Sequence, residues 1–314
     1  MYKILCLECH EEFKERNLNY EIDYKTNNDL DKLDLSKYDI VCGKLNESDI
    51  RRCTNMKLYQ QSFAGSEALK KDWFNENCVV CNGTGTFGVA IAEYMLGTII
   101  YLMRNFGYYT RKQEKHIWDK IPSRNSIMGS TILVVGLGDI GMEFIFRAHN
   151  LGAKIIGIRK HPENKPEYVD KCGSLDDLDE YIKEADVVCM CLPNIKSTDN
   201  VITAKQLSLM KKDAYLINVG RGNCIVLDDL YNCLKNKEIA GASLDVFKSE
   251  PLDENHPIWD LDNILITPHV SGNLDLKVSR NRYVDLALHN IDQLDKERKF
   301  KSVVDFETGY RKYE

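Results

Sequence analysis

The chain lacks several features that would assign it to common classes of protein. Its 314 residues carry a net charge of −6, so no basic excess indicates nucleic acid or an anionic membrane as the main partner. The longest apolar run, residues 89–103, is interrupted by Glu93 and is short for a bilayer span. Charge follows the strand-like residues 1–7 at once, which is not the pattern of a signal peptide. With no repeat or low-complexity linker, we expect a cytoplasmic protein of two domains.

Cysteine, in contrast, is plentiful. The 11 cysteines are an odd number scattered through strand-like segments, which indicates reduced thiols. Cys6 and Cys9, and likewise Cys78 and Cys81, have C-x-x-C spacing, and His10 adjoins the first pair. Zinc needs four converging ligands, whereas residues three apart in a strand point to opposite faces. We therefore expect buried, hydrophobic-like cysteines and no metal site.

Short apolar segments alternate with helical ones along the chain, which is the pattern of an α/β fold. Strands are predicted at residues 2–7, 20–23, 40–42, 57–61 and 79–81, then at 131–135, 154–158, 186–191, 214–218, 241–245 and 264–266. Helices are predicted at 89–104, 140–150 and 274–294. The first set predicts a small open α/β unit, and the second predicts a doubly wound parallel sheet.

A glycine-rich loop follows the β-branched run that ends at Val135. Its glycines have G-x-G-x-x-G spacing, in which the first permits a tight turn, the second lets a pyrophosphate approach the backbone, and the third lets the next helix pack closely. The amides that begin that helix would face the phosphates. A plain turn is the alternative. The predicted cofactor-binding residues here are Gly136, Gly138, Asp139, Ile140 and Gly141.

The end of the predicted strand 154–158 should carry the residue that distinguishes NAD from NADP. An acidic residue there binds the ribose hydroxyls of NAD, and an arginine accommodates the extra phosphate of NADP. This chain has Arg159 and Lys160, with the first carboxylate only at Glu163. The cationic pair predicts NADPH over NADH, with NAD still possible. A solvated loop is the alternative interpretation.

Three further residues lie just past the ends of predicted strands, where an open α/β sheet binds its ligands. Arg221 has glycine on each side and suits a planar carboxylate, although a phosphate or a surface ion pair is also possible. Glu250 follows the 241–245 strand, and His269 follows the last strand. Reduction of a ketone needs a proton donor at the oxygen, and a carboxylate beside a histidine favours its protonated ring and fixes its orientation.

With these residues, the chain resembles the D-isomer-specific 2-hydroxyacid dehydrogenases over nearly its whole length. The resemblance is carried by VVGLGDIG (134–141), CLPNIKST (191–198), INVGRGNCIV (217–226), LDVFKSEPL (244–252) and TPHVSG (267–272). It implies a Rossmann-type doubly wound parallel sheet, residues 86–272, inserted into a second, smaller flavodoxin-like α/β domain that binds substrate, residues 1–85 and 273–314. It also implies a homodimer built largely from the cofactor domains.

The resemblance implies a role for each catalytic residue. His269 would be the proton donor in reduction, with Glu250 as its partner. Arg221 would bind the substrate carboxylate and polarise the keto oxygen. Asp245 would lie near the nicotinamide carboxamide.

The resemblance also implies binding residues outside the catalytic set. Leu192 and Pro193 would contact the cofactor. Ala64 and Gly65 match the substrate loop, whose backbone amides bind the carboxylate. Lys44 falls in a loop that lines the substrate pocket, where it would attract a second acidic group, although a simply exposed lysine is the alternative.

Two positions narrow the range of activities that the resemblance allows. Arg159 replaces the family's usual aspartate, which favours the NADP-using glyoxylate and hydroxypyruvate reductase branch, and Glu250 argues against oxidation of formate. We therefore predict NADPH-dependent reduction of a small 2-keto acid, such as glyoxylate, hydroxypyruvate or a phenylpyruvate-like acid. A dinucleotide-sensing regulator is the alternative, because the same fold can serve both purposes.

Overall fold

The computed structural model describes residues 2–16, 19–123 and 125–311. The chain forms two compact units. Unit 1 consists of Met1–Phe87 and Asn273–Glu314, and unit 2 is Gly88–Gly272. The predicted boundary after residue 85 lies two residues before the observed one, and the predicted boundary after residue 272 coincides with the observed one. The roles assigned to the two domains stay predictions.

The described residues contain the following strands and α-helices. The strands are β1 (Lys3–Cys6), β2 (Glu21–Tyr24), β3 (Ile40–Cys42), β4 (Leu58–Gln60), β5 (Val79–Cys81), β6 (Thr131–Val135), β7 (Lys154–Ile158), β8 (Lys171–Gly173), β9 (Val187–Met190), β10 (Tyr215–Asn218), β11 (Gly241–Leu244), β12 (Ile264–Ile266), β13 (Val304–Asp305) and β14 (Tyr310–Arg311). The helices are α1 (His10–Glu15), α2 (Glu47–Arg52), α3 (Gly88–Met103), α4 (Phe106–Glu114), α5 (Asp139–Asn150), α6 (Leu178–Tyr181), α7 (Ala204–Leu209), α8 (Leu227–Lys235) and α9 (Lys277–Asp292).

Unit 1 is built on a five-stranded parallel sheet in the order β2-β1-β3-β4-β5. Alternate strand residues enter two separate apolar clusters, one containing Leu5 and Val41 and the other containing Ile4 and Ile40. Tyr283 of α9 packs in the second cluster. Because both faces are covered, the central strand β3 is apolar at every position and does not alternate.

Unit 2 is built on a seven-stranded parallel sheet in the order β12-β11-β10-β9-β6-β7-β8. From β6 the chain first extends the sheet through β7 and β8, then returns to place β9 on the other side of β6. This is the doubly wound order that the sequence predicts, with its switch point between β6 and β9. The predicted α/β fold with a Rossmann-type sheet is therefore confirmed.

The sequence misses the elements that have no long apolar pattern. β8 has the sequence KCG and lies at the sheet edge, and α4 buries none of its side chains, so neither has a periodic apolar signal. α9 is shorter than predicted at both ends. No helix in the described ranges is long and apolar enough to cross a membrane.

The cysteines are unpaired, and most are buried. Burial raises the pKa of both Cys6 and Cys9 to about 12, so both thiols stay protonated and are poor metal ligands at neutral pH. Across the described part of the chain, no three His, Cys, Asp or Glu side chains lie close enough together to hold a metal ion.

An ion pair joins the first and last segments of unit 1. Glu12 on α1 is buried, and its Oε1 accepts a hydrogen bond of 2.5 Å from Nε of Arg280 on α9. Burial acts to raise the pKa of Glu12, but the hydrogen bond and the charge of Arg280 lower it below its usual value. A lowered carboxyl pKa stabilises the fold above the pH at which the unfolded chain titrates, and this contribution is lost as the pH falls through the lowered value.

We expect Glu12→Gln to reduce the free energy of unfolding at pH 7 by about 1–3 kcal/mol, because Arg280 loses its charged acceptor. The difference from wild type should shrink as the pH falls below the ordinary range of a glutamate carboxyl, about 4.3, because the wild-type carboxylate becomes protonated as the pH falls through its lowered pKa. Glu15→Gln on the same helix makes the same charge change at an exposed site 4.0 Å from Lys277, and is the control. Urea unfolding at both pH values checks this, and equal losses in the two variants would contradict it.

Candidate active site

Three neighbouring strands of unit 2 bring the predicted catalytic residues together. β10, β11 and β12 lie side by side and run parallel, so their carboxyl ends share one edge of the sheet. Arg221 follows β10, Glu250 lies in the segment after β11, and His269 follows β12. Residues far apart in sequence thus meet at one ligand-binding edge.

The histidine and the glutamate form a direct pair. Nδ1 of His269 lies 2.8 Å from Oε2 of Glu250, and the other oxygen, Oε1, accepts a hydrogen bond of 2.9 Å from the Phe247 amide. One end of the carboxylate is therefore fixed by the backbone, and the other orients the ring. The His269 side chain is 49% exposed, and with Nδ1 turned to Glu250, Nε2 is the nitrogen placed to act on a substrate.

The surroundings keep Glu250 ionised. Partial burial acts to raise the pKa of its carboxyl, but the hydrogen bonds with His269 and the Phe247 amide and the positive charge of Arg221 lower that pKa below its usual value. Glu250 is thus an anion at neutral pH.

Asp245 holds the loop that carries His269. It is completely buried at the end of β11. Its Oδ1 accepts hydrogen bonds from the Thr267 hydroxyl and the Val270 amide, and its Oδ2 accepts one from the Ser271 amide. Its backbone carbonyl also accepts a hydrogen bond of 2.8 Å from the His269 amide. The structure therefore gives Asp245 a positioning role, and its predicted contact with the nicotinamide carboxamide stays a prediction.

The backbone of His269 adopts an unusual conformation. Its φ is 54°, in the left-handed region that non-glycine residues rarely occupy, at a cost on the order of 1 kcal/mol. Its amide is held by the carbonyl oxygens of Asp245 and Thr267 at 2.8 and 3.1 Å. The hydrogen bonds made by Asp245 offset this strain.

Sequence reasoning does not identify two residues that support this loop. The hydroxyl of Tyr94, on α3, lies 2.5 Å from Oγ1 of Thr267, which in turn donates to Asp245. Thr267 belongs to the TPHVSG motif, so its position two residues before His269 is a sequence signal that could indicate a supporting role. Tyr94 lies in an apolar helix, where the pattern predicts only burial.

Arg221 lies where two backbone segments approach it closely. A Cβ on Gly220 would lie 2.6 Å from the Leu192 carbonyl oxygen, and one on Gly222 would lie 1.9 Å from the Phe247 carbonyl carbon. Glycine is therefore needed at both positions for close approach of the backbone. Nη1 of Arg221 donates to the Gly220 carbonyl, and its predicted role with a substrate carboxylate stays a prediction.

The glycine loop after β6 has the geometry that a dinucleotide requires. Gly136 has a φ of 106°, and a Cβ there would lie 2.7 Å from the Cys191 carbonyl oxygen. A Cβ on Gly141 would lie 2.2 Å from the Gly136 carbonyl oxygen. At Gly138, which precedes α5, a Cβ would meet nothing within 4 Å. The first glycine makes the turn, the third brings the helix close, and the second leaves open space beside the helix N-terminus, so the loop fits a pyrophosphate.

Other predicted cofactor residues surround this loop. Leu192 and Pro193 follow β9, which pairs with β6 at the switch point, and Leu192 is buried. The carboxylate of Asp139 accepts a hydrogen bond of 2.9 Å from the Gly88 amide at the start of α3. Because that side chain ties α3 to α5, the cofactor contacts predicted for Asp139 and Ile140 are those of their backbone amides.

Arg159 lies directly after β7, the strand next to β6. Its amide donates to the Gly173 carbonyl, and its Nη1 donates to the Asn164 carbonyl at 2.7 Å. Lys160 beside it is exposed. The guanidinium thus lies over its own loop, at the strand end where Rossmann folds bind the adenosine ribose or its phosphate.

The predicted substrate loop lies in unit 1, after β4. The carbonyl oxygens of residues 63–65 accept hydrogen bonds, among them one from the Gly83 amide and one from the Asn82 side chain. Within the described residues, the amides of Ala64 and Gly65 donate to no protein acceptor. The loop therefore has its carbonyls satisfied and two amides without an internal acceptor, and the substrate contact that the resemblance implies for them stays a prediction.

Lys44 is exposed two residues past β3. Its Nζ lies 5.1 Å from the centre of the Phe63 ring, a distance at which the ring attracts a cation. The ammonium group is thus held beside the substrate loop, and its role there stays a prediction.

Comparison with known proteins agrees with this geometry. A family model described as D-isomer specific 2-hydroxyacid dehydrogenase, NAD binding domain, matches residues 96–271. An uncharacterized protein in the proB 3′ region of Corynebacterium melassecola is 32% identical over 82% of this chain and 84% of its own length. A glyoxylate reductase of Thermofilum pendens is 33% identical over 68% of this chain and 63% of its own length, and a D-3-phosphoglycerate dehydrogenase of Methanocaldococcus jannaschii is 31% identical over 72% of this chain but only 43% of its own.

Solved structures share the fold over nearly the whole chain. A D-isomer specific 2-hydroxyacid dehydrogenase family protein of Aeromonas salmonicida superposes with a TM-score of 0.86 at 26% identity, covering 97% of this chain and 99% of that one. An NADPH-dependent glyoxylate/hydroxypyruvate reductase of Sinorhizobium meliloti superposes with a TM-score of 0.81 at 21% identity, covering 99% and 100%, which supports the fold alone. The glycine loop, the ordered strand-end residues and the family match together establish that the chain belongs to the D-isomer specific 2-hydroxyacid dehydrogenases, a family of NAD(P)-dependent oxidoreductases.

Proposed function

We propose that this protein reduces a small 2-keto acid, such as glyoxylate or hydroxypyruvate, to the D-2-hydroxy acid with NADPH. The observation that carries the proposal is the hydrogen-bonded His269–Glu250 pair, at the sheet edge that also holds Arg221. The similarity to the Thermofilum glyoxylate reductase supports a small keto acid as substrate.

The proposed chemistry uses the residues of that edge. A reduced nicotinamide, when bound, supplies the hydride that the keto carbon accepts. His269 donates the proton to the keto oxygen from Nε2, while Glu250 orients the ring and balances its charge. Arg221 binds the substrate carboxylate through its planar guanidinium and thereby positions the keto carbon. The ketone gains one hydride and one proton and becomes a hydroxyl group.

The preference for NADPH is proposed from Arg159 and Lys160. A guanidinium can form two hydrogen bonds with a phosphate, whereas it cannot accept hydrogen bonds from the two ribose hydroxyls of NAD. In the structure, both cations lie at the end of the strand beside the glycine loop. NAD remains a usable but poorer cofactor in this proposal.

We also propose a cytoplasmic homodimer. All eleven cysteines are free, and free thiols persist in reducing compartments. Large apolar side chains of unit 2 are exposed, and Trp118, at the extreme, is fully exposed. Exposed aromatic side chains of this kind mark protein interfaces, so unit 2 is the part of the chain expected to pair with a second copy.

The first prediction concerns the proton donor. We expect His269→Gln to lower kcat for glyoxylate or hydroxypyruvate about 10²- to 10⁴-fold, because the general acid is removed, while NADPH binding by fluorescence titration stays unchanged. His149→Gln, an exposed histidine on α5, is the matched control and should keep full activity. Cofactor binding by the wild type without turnover of any 2-keto acid would instead favour a sensor.

The second prediction concerns the cofactor. We expect Arg159→Asp to lower the ratio of kcat/KM with NADPH to that with NADH about 10- to 100-fold, since a charge-assisted contact with the phosphate is lost. Lys154→Asp makes the same charge change at the opposite, exposed end of β7, and should leave the ratio unchanged. The assignment is wrong if the ratio is the same in both variants.

The third prediction concerns assembly. We expect Trp118→Asp to raise the dimer dissociation constant about 30-fold or more, because a fully exposed aromatic anchor becomes a charge. Trp259→Asp is the control, since Trp259 is 47% exposed in the same unit and is not assigned to the interface. Light scattering across a dilution series measures both, and a wild-type monomer at all concentrations would refute the dimer.

A further inference from the structure

Buried polar atoms without a partner cluster at one edge of the unit 1 sheet. Within the described residues, five such groups follow the carboxyl ends of β1, β4 and β5, and no hydrogen bond reaches them. Carboxyl ends of parallel strands meet at one edge, and buried polar groups are nearly always paired with protein, water or ligand. This edge is therefore suited to a polar ligand. The atoms are Glu8 Oε2, Gln61 Oε1, Ser62 Oγ, Thr84 Oγ1 and Thr86 Oγ1.

Glu8 is the one member of this set that carries a charge. It lies two residues past β1, and its Oε2 is 3.5 Å from the place that a Cβ on Gly43 would take. Gly43 directly follows β3, the strand that pairs with β1. β2 lies on the far side of β1, and β4 on the far side of β3. The carboxylate therefore lies at the topological switch point, where open α/β sheets bind their ligands.

No basic side chain in the described ranges lies within ion-pair distance of Glu8. Lys44, on the facing loop, is directed over the Phe63 ring instead, and Arg280 is paired with Glu12. Burial chiefly, and the charge of Glu8 in addition, raise the pKa of the buried Tyr59 hydroxyl. A buried carboxylate oxygen without a donor is costly, and a cationic ligand group would remove that cost.

We propose that Glu8 forms a subsite for a cation at the end of the substrate side chain, so that the protein accepts long 2-keto acids besides the small ones and favours those that carry such a group over neutral acids of the same length. This inference rests on the proposed reductase function and on the substrate loop at Ala64 and Gly65. β3 alone separates β1 from β4, and two strand spacings give roughly 10 Å between the strand ends that Glu8 and that loop follow. A side chain of three methylenes with a terminal guanidinium spans a distance of this order, whereas hydroxypyruvate is too short to reach.

Two matched pairs of substrates test the subsite. One pair is 5-guanidino-2-oxopentanoate and its neutral ureido analogue, which have the same shape and differ in charge. The other is hydroxypyruvate and 2-ketobutyrate, which are short and test the reductase function alone. Each is assayed with NADPH in wild type, Glu8→Gln and Glu8→Leu, with Glu11→Gln as the control because Glu11 is exposed on α1 and pairs with Lys14. Thermal unfolding of every variant confirms that it is folded.

We expect the wild type to prefer the guanidino over the ureido acid by tenfold or more in kcat/KM. Glu8→Gln should bring that ratio close to one, mainly through KM, and leave hydroxypyruvate turnover within twofold of wild type. A wild-type ratio near one, or a preference that persists in both folded Glu8 variants, would overturn the subsite while short-acid turnover keeps the reductase function. Failure of every substrate in the wild type would overturn both.

Discussion

The buried carboxylate of Asp245 is the constraint on which the catalytic edge of unit 2 depends. A charge at that depth is tolerated only if donors surround it, and here the donors all come from residues 267–271, the segment that bears His269. The same residue also accepts the His269 amide through its backbone. The left-handed conformation of His269 and the direction of its ring toward Glu250 both follow from this anchoring. The position of the reacting nitrogen, Nε2 of His269, is thus fixed by a carboxylate that is itself shielded from solvent.

Close approach of backbone segments is the second requirement of the site. At Gly136, Gly141, Gly220 and Gly222, a side chain would collide with a neighbouring segment at less than 3 Å. These four positions surround the strand ends of the seven-stranded sheet, so the edge is compact on its protein side. Gly138 alone among the glycines of the loop opens toward unfilled space. The four crowded glycines therefore let backbone segments pack closely together, whereas Gly138 leaves room for a ligand.

Much of this organisation could be predicted from the sequence, and the reasons are specific. Strands such as β6 are buried on both faces, so their apolar runs are unbroken, and residues at strand ends inherit their position from the sheet. The sequence could not show that Asp245 is enclosed, because a carboxylate in a strand-end motif suggests ligand contact and burial depends on the loop that folds over it. The roles of Tyr94 and Glu8 were not predictable for a similar reason. Only the folded structure shows that the Tyr94 hydroxyl contacts Thr267 and that Oε2 of Glu8 has no hydrogen-bond partner. β8 and α4 were missed because an edge strand and a surface helix have no periodic apolar pattern.

The division of unit 1 into two chain segments has a consequence for synthesis. Its sheet is complete once β5 has been made, yet one face of that sheet is covered by α9, which the ribosome delivers only after the whole of unit 2. During that interval, the apolar side chains that later meet Tyr283 face solvent or a chaperone, while unit 2 is continuous and can fold as it emerges. The nascent protein should therefore be most prone to aggregate before residue 292 is translated. Premature termination in that region would release a folded unit 2 attached to an N-terminal sheet with one face left uncovered.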